Sequence, residues 1–328
     1  FLDNAIEVDV DAVADGDETV IAGIMEHIEY AGVHSGDSAC IYPPQNLSQK
    51  IITEIESATI KLAAQLKVRG LMNIQFAVKD EELYILEVNP RASRSVPFIS
   101  KATGIPWAKM AALIMSGKTI TELGIHELVQ KIPQKQVSVK EAVFSFNKFD
   151  GASTFLGPEM KSTGEVMGIS DQFSMAFAKA ELGANMKLPR TGKVFLSYND
   201  QDKESCVRAA SELIRLGFNI VATSGTAKFL QASDLEIEKV LKVNEGRPNI
   251  TDLLKNDEIS LIFNVPMGKE AYEDSQVITQ IAQAKEIPVI TTTTAAEATV
   301  KAIEAINNEK SRVKSLQDYL ACAAKQSG

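Results

Sequence analysis

Along residues 6–14 acidic and apolar side chains alternate, with Glu7, Asp9 and Asp11 set against Val8, Val10 and Ala12. A period of two predicts a half-buried strand with one acidic face. Residues 20–28 are its expected antiparallel partner across the turn Asp15-Gly16-Asp17. Residues 32–37 are a loop by composition, and residues 40–42 form a short strand that Pro43-Pro44 stops. In residues 48–67, Ile51, Ile55, Ala58, Leu62 and Leu66 recur at spacings of three and four. This predicts an amphipathic helix with Ser48 as its N-cap. Residues 71–78 and 83–88, parted by the polar stretch 79–82, predict a β-hairpin. Residues 108–115 read as a helix ending at Gly117, 137–146 as a strand, and 172–182 as a helix ending at Gly183.

The pattern then changes. Residues 185–193 hold Pro189, Arg190 and Gly192 with little apolar content, and they mark a boundary between domains at 1–184 and 185–328. Beyond it, strands at 194–197, 218–222, 259–264 and 289–292 alternate with helices at 203–216, 277–284 and 295–306. Such alternation predicts a mainly parallel sheet covered by helices. The expected fold class is α/β, an α+β portion followed by a Rossmann-like, mainly parallel domain.

Composition mainly excludes. The 328 residues are 45% hydrophobic and 23% charged, ordinary for a globular chain and unlike disordered, collagenous or coiled-coil protein. At about 150 residues per domain the length suits two domains. A net charge of −9 and a pI near 5.1 argue against a nucleic-acid partner. No apolar run approaches the roughly 20 residues that cross a bilayer, so no membrane partner is expected either. The chain opens Phe1-Leu2-Asp3-Asn4, without Met and without a basic then apolar leader. The expectation is a piece of something longer and not a secretory precursor. Cys40, Cys206 and Cys322 are far apart and odd in number, which suits a reducing cytoplasm better than a disulfide framework. His27, His34 and His126 are too scattered for a local metal motif.

The strongest chemical signal is Leu86-Glu87-Val88-Asn89-Pro90-Arg91-Ala92-Ser93-Arg94. On a strand, Glu87 and Asn89 point to one face. A hairpin turn centred on Glu81 sets Gln75 opposite Glu87. One carboxylate and two amide oxygens then converge, a donor set for a hard cation, Mg2+ or Mn2+, that also takes phosphate oxygens. Arg91 and Arg94 follow at once, and guanidinium is a natural fork for phosphate. Metal plus arginine at one strand end is equipment for phosphoryl transfer. A bare Glu-x-Asn triplet is by itself more often a polar strand end, and the partnered Gln75 and the arginines shift that balance.

These residues resemble the ATP-grasp fold and, within it, the second synthetase half of carbamoyl-phosphate synthetase large subunits. The resemblance rests on Glu26-His27-Ile28-Glu29, on 32–39 (GVHSGDSA), on 69–78 (RGLMNIQFAV), on 146–149 (FNKF) and on 157–168 (GPEMKSTGEVMG), and it runs over essentially the whole chain. It implies phosphorylation of carbamate by ATP to give carbamoyl phosphate and ADP, for pyrimidine and arginine biosynthesis. It also implies two Mg2+ or Mn2+ ions, with K+ a candidate further ion. By resemblance Gln75, Glu87 and Asn89 match metal ligands, and Arg91 and Arg94 match residues holding the transferring phosphate or carbamate. Glu7 matches a carboxylate on the nucleotide ribose, and His27 and His34 match residues lining the nucleotide pocket. From its strand position alone, His27 is more often a packed, hydrogen-bonded core residue. The family's phosphate-covering lysines and glycine loop lie ahead of Phe1, so the chain alone is expected to be inactive.

A second signal is Ala222-Thr223-Ser224-Gly225-Thr226, between an expected strand and helix. Two hydroxyls, a glycine and a helix N-terminus make an anion site by geometry, although a simple helix cap reads almost the same. Lys203, Lys242 and Asn264 are further candidates at the same sheet edge. Residues from about 190 onward resemble the methylglyoxal-synthase-like domain that ends the same large subunits. By resemblance Lys203, Thr223, Thr226, Lys242 and Asn264 match contacts to nucleoside monophosphates, with UMP inhibiting and IMP activating. The stretch Asn244-Glu245-Gly246-Arg247-Pro248 lacks the aspartates of true synthases, which favours regulation over lyase chemistry. Two departures stand out. Pro266 replaces a frequent hydroxyl, and Val289 replaces the aromatic that accompanies Glu29, Asp37 and Glu141 in ornithine-regulated relatives. Thr291 remains. The resemblance also implies a glutamine amidotransferase small subunit as partner and leaves an oligomer open. The competing reading is a stand-alone nucleotide sensor with a non-catalytic ATP-grasp remnant. A biotin-dependent carboxylase predicts no such last domain.

Overall fold

The computed structural model describes residues 2, 5–132, 135–146, 156–266, 269–309 and 311–324. Part of the motif at 146–149 therefore lies outside the described residues. The first portion holds β1 (Ile6–Asp15), β2 (Thr19–Tyr30), β3 (Cys40–Tyr42), α1 (Gln49–Gln65), β4 (Arg69–Lys79) and β5 (Glu82–Asn89). It continues with α2 (Val96–Thr103), α3 (Trp107–Met115), α4 (Ile125–Gln130), β6 (Val137–Val143), β7 (Gly164–Ser170) and α5 (Phe173–Gly183). Among the described residues its strands form one antiparallel sheet in the order β5-β4-β1-β2-β3-β6-β7.

Strand β1 lies inside that sheet, and this corrects the half-buried strand expected for it. Val8, Val10 and Ala12 pack with Ile51 and Ile55 of α1, while Val13 packs with Phe98, Ile99 and Trp107 of α2 and α3. The acidic face is covered as well: Glu7 and Asp9 are 5% exposed and Asp11 is 0% exposed. Three carboxylates in a sheet interior oppose folding unless hydrogen bonds or cations meet them. Their presence marks a site.

The hairpin β4–β5 turns on Asp80 and Glu81, whose φ values are +51° and +59°. Lys79 pairs with Glu82, so the loop has two residues of left-handed conformation, the geometry that suits the strand twist. The expected turn centre was Glu81. The two-residue turn is instead centred between Asp80 and Glu81 and would by itself set Gln75 opposite Leu86, but the register shifts between Gln75 and Phe76 and restores the Gln75–Glu87 and Asn73–Asn89 pairs. Ser48, the N-cap of α1, accepts from Ile51 N at 3.4 Å and donates to Glu81 Oε2 at 2.6 Å, tying turn to helix.

The sheet's far end is closed by α5 lying on β7. A Cβ on Gly168 would sit 1.9 Å from Ala176 O, so only glycine permits this approach. The second portion holds β8 (Lys193–Tyr198), α6 (Lys203–Arg215), β9 (Asn219–Thr223), α7 (Ser224–Gln231), β10 (Glu238–Val240) and α8 (Ile250–Lys255). Then come β11 (Leu261–Val265), α9 (Lys269–Ala284), β12 (Val289–Ile290), α10 (Thr293–Asn308) and α11 (Leu316–Ala324). Its strands are parallel, in the order β10-β9-β8-β11-β12. Each sheet has apolar clusters of its own, and one further cluster is shared between them. The shared cluster runs from Ile28, Ile41 and Val139 through Phe177 and Ala180 of α5 to Val194 and Leu196 of β8 and Ala302 of α10.

Candidate functional site

The C-terminal end of β5 and the segment after it border a cavity of about 760 Å³. Glu7, His34, Gln75, Glu87, Asn89, Arg91 and Arg94 all line it. Asn89 donates from Nδ2 to Glu87 Oε1 at 2.7 Å, so the two side chains share one strand face. Burial raises the Glu7 carboxyl, and neighbouring Asp9 and Glu87 add to it, against His27 and the Gly32 amide. Among the described residues neither Arg91 nor Arg94 has a carboxylate partner, which leaves both guanidinium groups available to an anion.

His27 is placed elsewhere. It is 4% exposed, does not border the cavity, and meets Asp9 Oδ2 through Nε2 at 3.2 Å. Burial alone would discharge the pair. The Cys40 sulfur and Asp9 instead hold the His27 imidazole well above its ordinary range, and His27 with Gln75 holds Asp9 below its own. His27 thus supports the cavity floor from beneath. His34 accepts from Gly36 N at its Nδ1, 3.0 Å away, and orders the loop at the rim.

Sequence reasoning missed the groups beneath the arginines. Asp11 accepts from Ser93 Oγ at 2.7 Å, Ser95 Oγ at 2.6 Å and Asn73 Nδ2 at 3.0 Å. Burial still pushes its carboxyl up to about 6 against these three bonds. Asp11 thereby fixes the segment that carries Arg94. The buried Lys140 of β6 also borders the cavity and donates to Ser35 O at 3.2 Å. The available signal was period two on β6, which puts Ser138 and Lys140 on one face and Val137, Val139 and Glu141 on the other.

The three acids matched to ornithine contacts lie apart from this cavity. Asp37 accepts from Lys161 N and Ser162 N, both at 2.8 Å, so both its oxygens are taken by backbone. Glu29 accepts from Ser38 Oγ and Ala39 N, both at 2.7 Å. Glu141 is buried beside Glu29, and burial followed by that charge pushes it up to about 8. Glu181 of α5 completes the group; it is driven well above its ordinary range by burial, then by Glu141 and Glu29.

In the second portion, Lys203, Thr223, Thr226, Lys242, Asn264 and Pro266 border one cavity of about 410 Å³ at the C-terminal edge of the parallel sheet. Thr226 Oγ1 accepts from Tyr198 N at 3.1 Å and lies 3.4 Å from Thr223 Oγ1, while Asn264 Nδ2 donates to Ser275 Oγ at 2.9 Å. Thr223 N-caps α7 without a side-chain bond to it, so the first amides of that helix stay open to an anion.

Residues 1–123 match the family model for the carbamoyl-phosphate synthase L chain ATP binding domain, and residues 205–291 match that for the MGS-like domain. The chain is 54% identical over 325 residues to the carbamoyl phosphate synthase large chain of Nostoc sp., covering 97% of this chain and 29% of that protein. It is 54% identical over 322 residues to that of Synechocystis sp. (98% and 30%) and 53% over 320 residues to that of Archaeoglobus fulgidus (97% and 30%). The chain thus spans under a third of the curated relatives it matches. Among the described residues no helix is long and apolar enough to cross a membrane.

Proposed function

The chain belongs to the carbamoyl phosphate synthase large-chain family, and we propose that it supplies part of a site that phosphorylates carbamate from ATP, joined to a nucleotide-sensing domain. The supporting observation is the meeting of Gln75, Glu87 and Asn89 with Arg91, Arg94 and Glu7 around one cavity. Among the described residues no three His, Cys, Asp or Glu side chains could hold a metal by themselves. One carboxylate and two amides fit instead a Mg2+ or Mn2+ ion that completes its shell with phosphate oxygens. Such an ion, when bound, neutralises phosphate charge.

The chain's own groups do the rest. A carbamate oxygen attacks the γ-phosphorus as its bond to the bridging β-phosphate oxygen breaks, giving carbamoyl phosphate and ADP. No acid or base need act, so catalysis is positioning and charge stabilisation. Arg91 and Arg94 hold the transferring group or the carbamate. Asp11, through Ser93 and Ser95, holds the arginine segment still. The carbamate is made in a companion synthetase half, with ammonia from a separate glutamine amidotransferase subunit. The Thr223–Thr226 site takes a nucleoside monophosphate such as UMP or IMP and shifts ATP affinity, a coupling of typically about 1–3 kcal/mol.

The test is ADP release by the full-length protein carrying this chain, assayed with and without carbamate supply. ADP release that never responds to carbamate would overturn the reading. The chain alone is expected to bind MgATP more weakly than micromolar and to turn none over. Lys140 is the one lysine among the described lining residues, it is turned to Ser35 O, and Ile85 and Leu86 of β5 stay about half exposed. Titration calorimetry of the chain with MgATP reads this, and micromolar binding would contradict it.

A further inference from the structure

We propose that Asp200 is a built-in competitor for the anion site of the second domain, setting the threshold that a bound oxyanion must exceed. The inference rests on the reading of that site as one for nucleoside monophosphates. Lys203 and Lys242 are the lysines at its border, and Asp200 shares that border. The Asp200 carboxylate pairs with Lys203 Nζ. The partners are unequal: the Lys203 side chain is 17% exposed and that of Asp200 is 92% exposed. The lysine is therefore fixed in the site, and the acid reaches in from solvent.

The backbone holds Asp200 there. Asn199 N donates to Val265 O at 3.1 Å, and Asn199 Oδ1 accepts from Gln201 N at 2.9 Å and Asp202 N at 3.2 Å. The turn carrying Asp200 is thus pinned on both sides of it. Its carboxyl lies below its ordinary range through the hydrogen bond and charge of Lys203, with Lys242 adding to them. Lys203 has a second support, lying 5.9 Å from the Phe229 ring centre, so it stays placed if Asp200 leaves.

An entering anion must displace Asp200 from Lys203. The carboxylate has one oxygen on the lysine and no described bond to Thr223, Thr226 or the α7 amides. A phosphate monoester dianion can use all of these together, so it displaces Asp200 where a carboxylate metabolite of single charge does not. Asp200 thereby selects for doubly charged oxyanions and keeps the site closed to weaker ones.

The experiment is titration calorimetry of the full chain with inorganic phosphate and with UMP, comparing wild type, Asp200→Asn and Thr226→Ala. Asp200→Asn should tighten both ligands about five- to tenfold in roughly 50 mM NaCl, with less gain at about 0.5 M where screening shortens the reach of charge. Thr226→Ala should weaken both ligands in either background. If wild type binds both ligands and Asp200→Asn binds them equally or more weakly, the competitor role fails and the site reading stands. If neither wild type nor Asp200→Asn binds either ligand at millimolar concentration, the site reading fails and the competitor role with it.

Discussion

Replacing Glu87 with glutamine in a full-length protein carrying this chain should lower the proposed carbamate-dependent phosphorylation about a thousandfold, the scale of losing one preorganised charged group at a transition state. The change keeps shape and removes the only carboxylate of the donor set formed with Gln75 and Asn89. Glu87 is exposed on an edge strand and its described hydrogen bond is to Asn89, so folding should be unaffected. Urea midpoints of wild type and variant should coincide. The loss should fall on kcat more than on KM for carbamate, because transition-state charge is what goes uncompensated. Synthesis at the wild-type rate in a correctly folded variant would remove Glu87 from the machinery.

Glu141→Gln should stabilise the protein at high pH and leave it unchanged near pH 4.5. An unfolded glutamate ionises near pH 4.5, whereas in the folded chain burial and Glu29 hold the Glu141 proton to about pH 8. Between those values the unfolded state releases a proton that the folded state keeps, so stability falls as pH rises through this window. Above it the penalty is complete, on the order of a few kcal/mol. Glutamine is neutral throughout, and its amide can donate to Glu29 or Glu181. Urea unfolding at pH 5 and pH 8.5 reads the effect. Parallel pH profiles for variant and wild type would show that Glu141 is not the group that titrates.

The sequence was readable where a local pattern had a single geometric consequence. Alternation placed β1, spacing placed α1 with its Ser48 cap, and the strand-helix alternation after residue 193 announced a parallel sheet. The Gln75–Glu87 pair was readable too, but through two compensating irregularities: a turn one-half residue from the expected centre and a bulge that restores the register. Short elements were silent. α2, α4, β10 and α8 are too brief to show a period, and Gly164 and Gly168 mask β7. The candidate site was legible at its rim, where Glu87, Asn89 and the arginines follow one another. It was illegible at its floor, because Asn73 and Lys140, with Asp11 buried beneath them, come from three strands that only the sheet order brings together.

The core shared by α5 and α10 bears on how such proteins diversify. Alanines crowd both helices, at 176, 178 and 180 and at 295, 296, 298 and 302, and they belong to one apolar cluster. A lineage acquiring a new last domain by recombination at the 184/185 junction would inherit α10 without the surface that grew beside it. The inheritable cassette is therefore larger than the second portion: it reaches back before α5, to β7, where Gly168 already commits the strand to that helix. Chimeras joined ahead of β7 keep α5 with α10 but still part both from Ile28, Ile41 and Val139, whereas those joined at the linker also part α5 from α10.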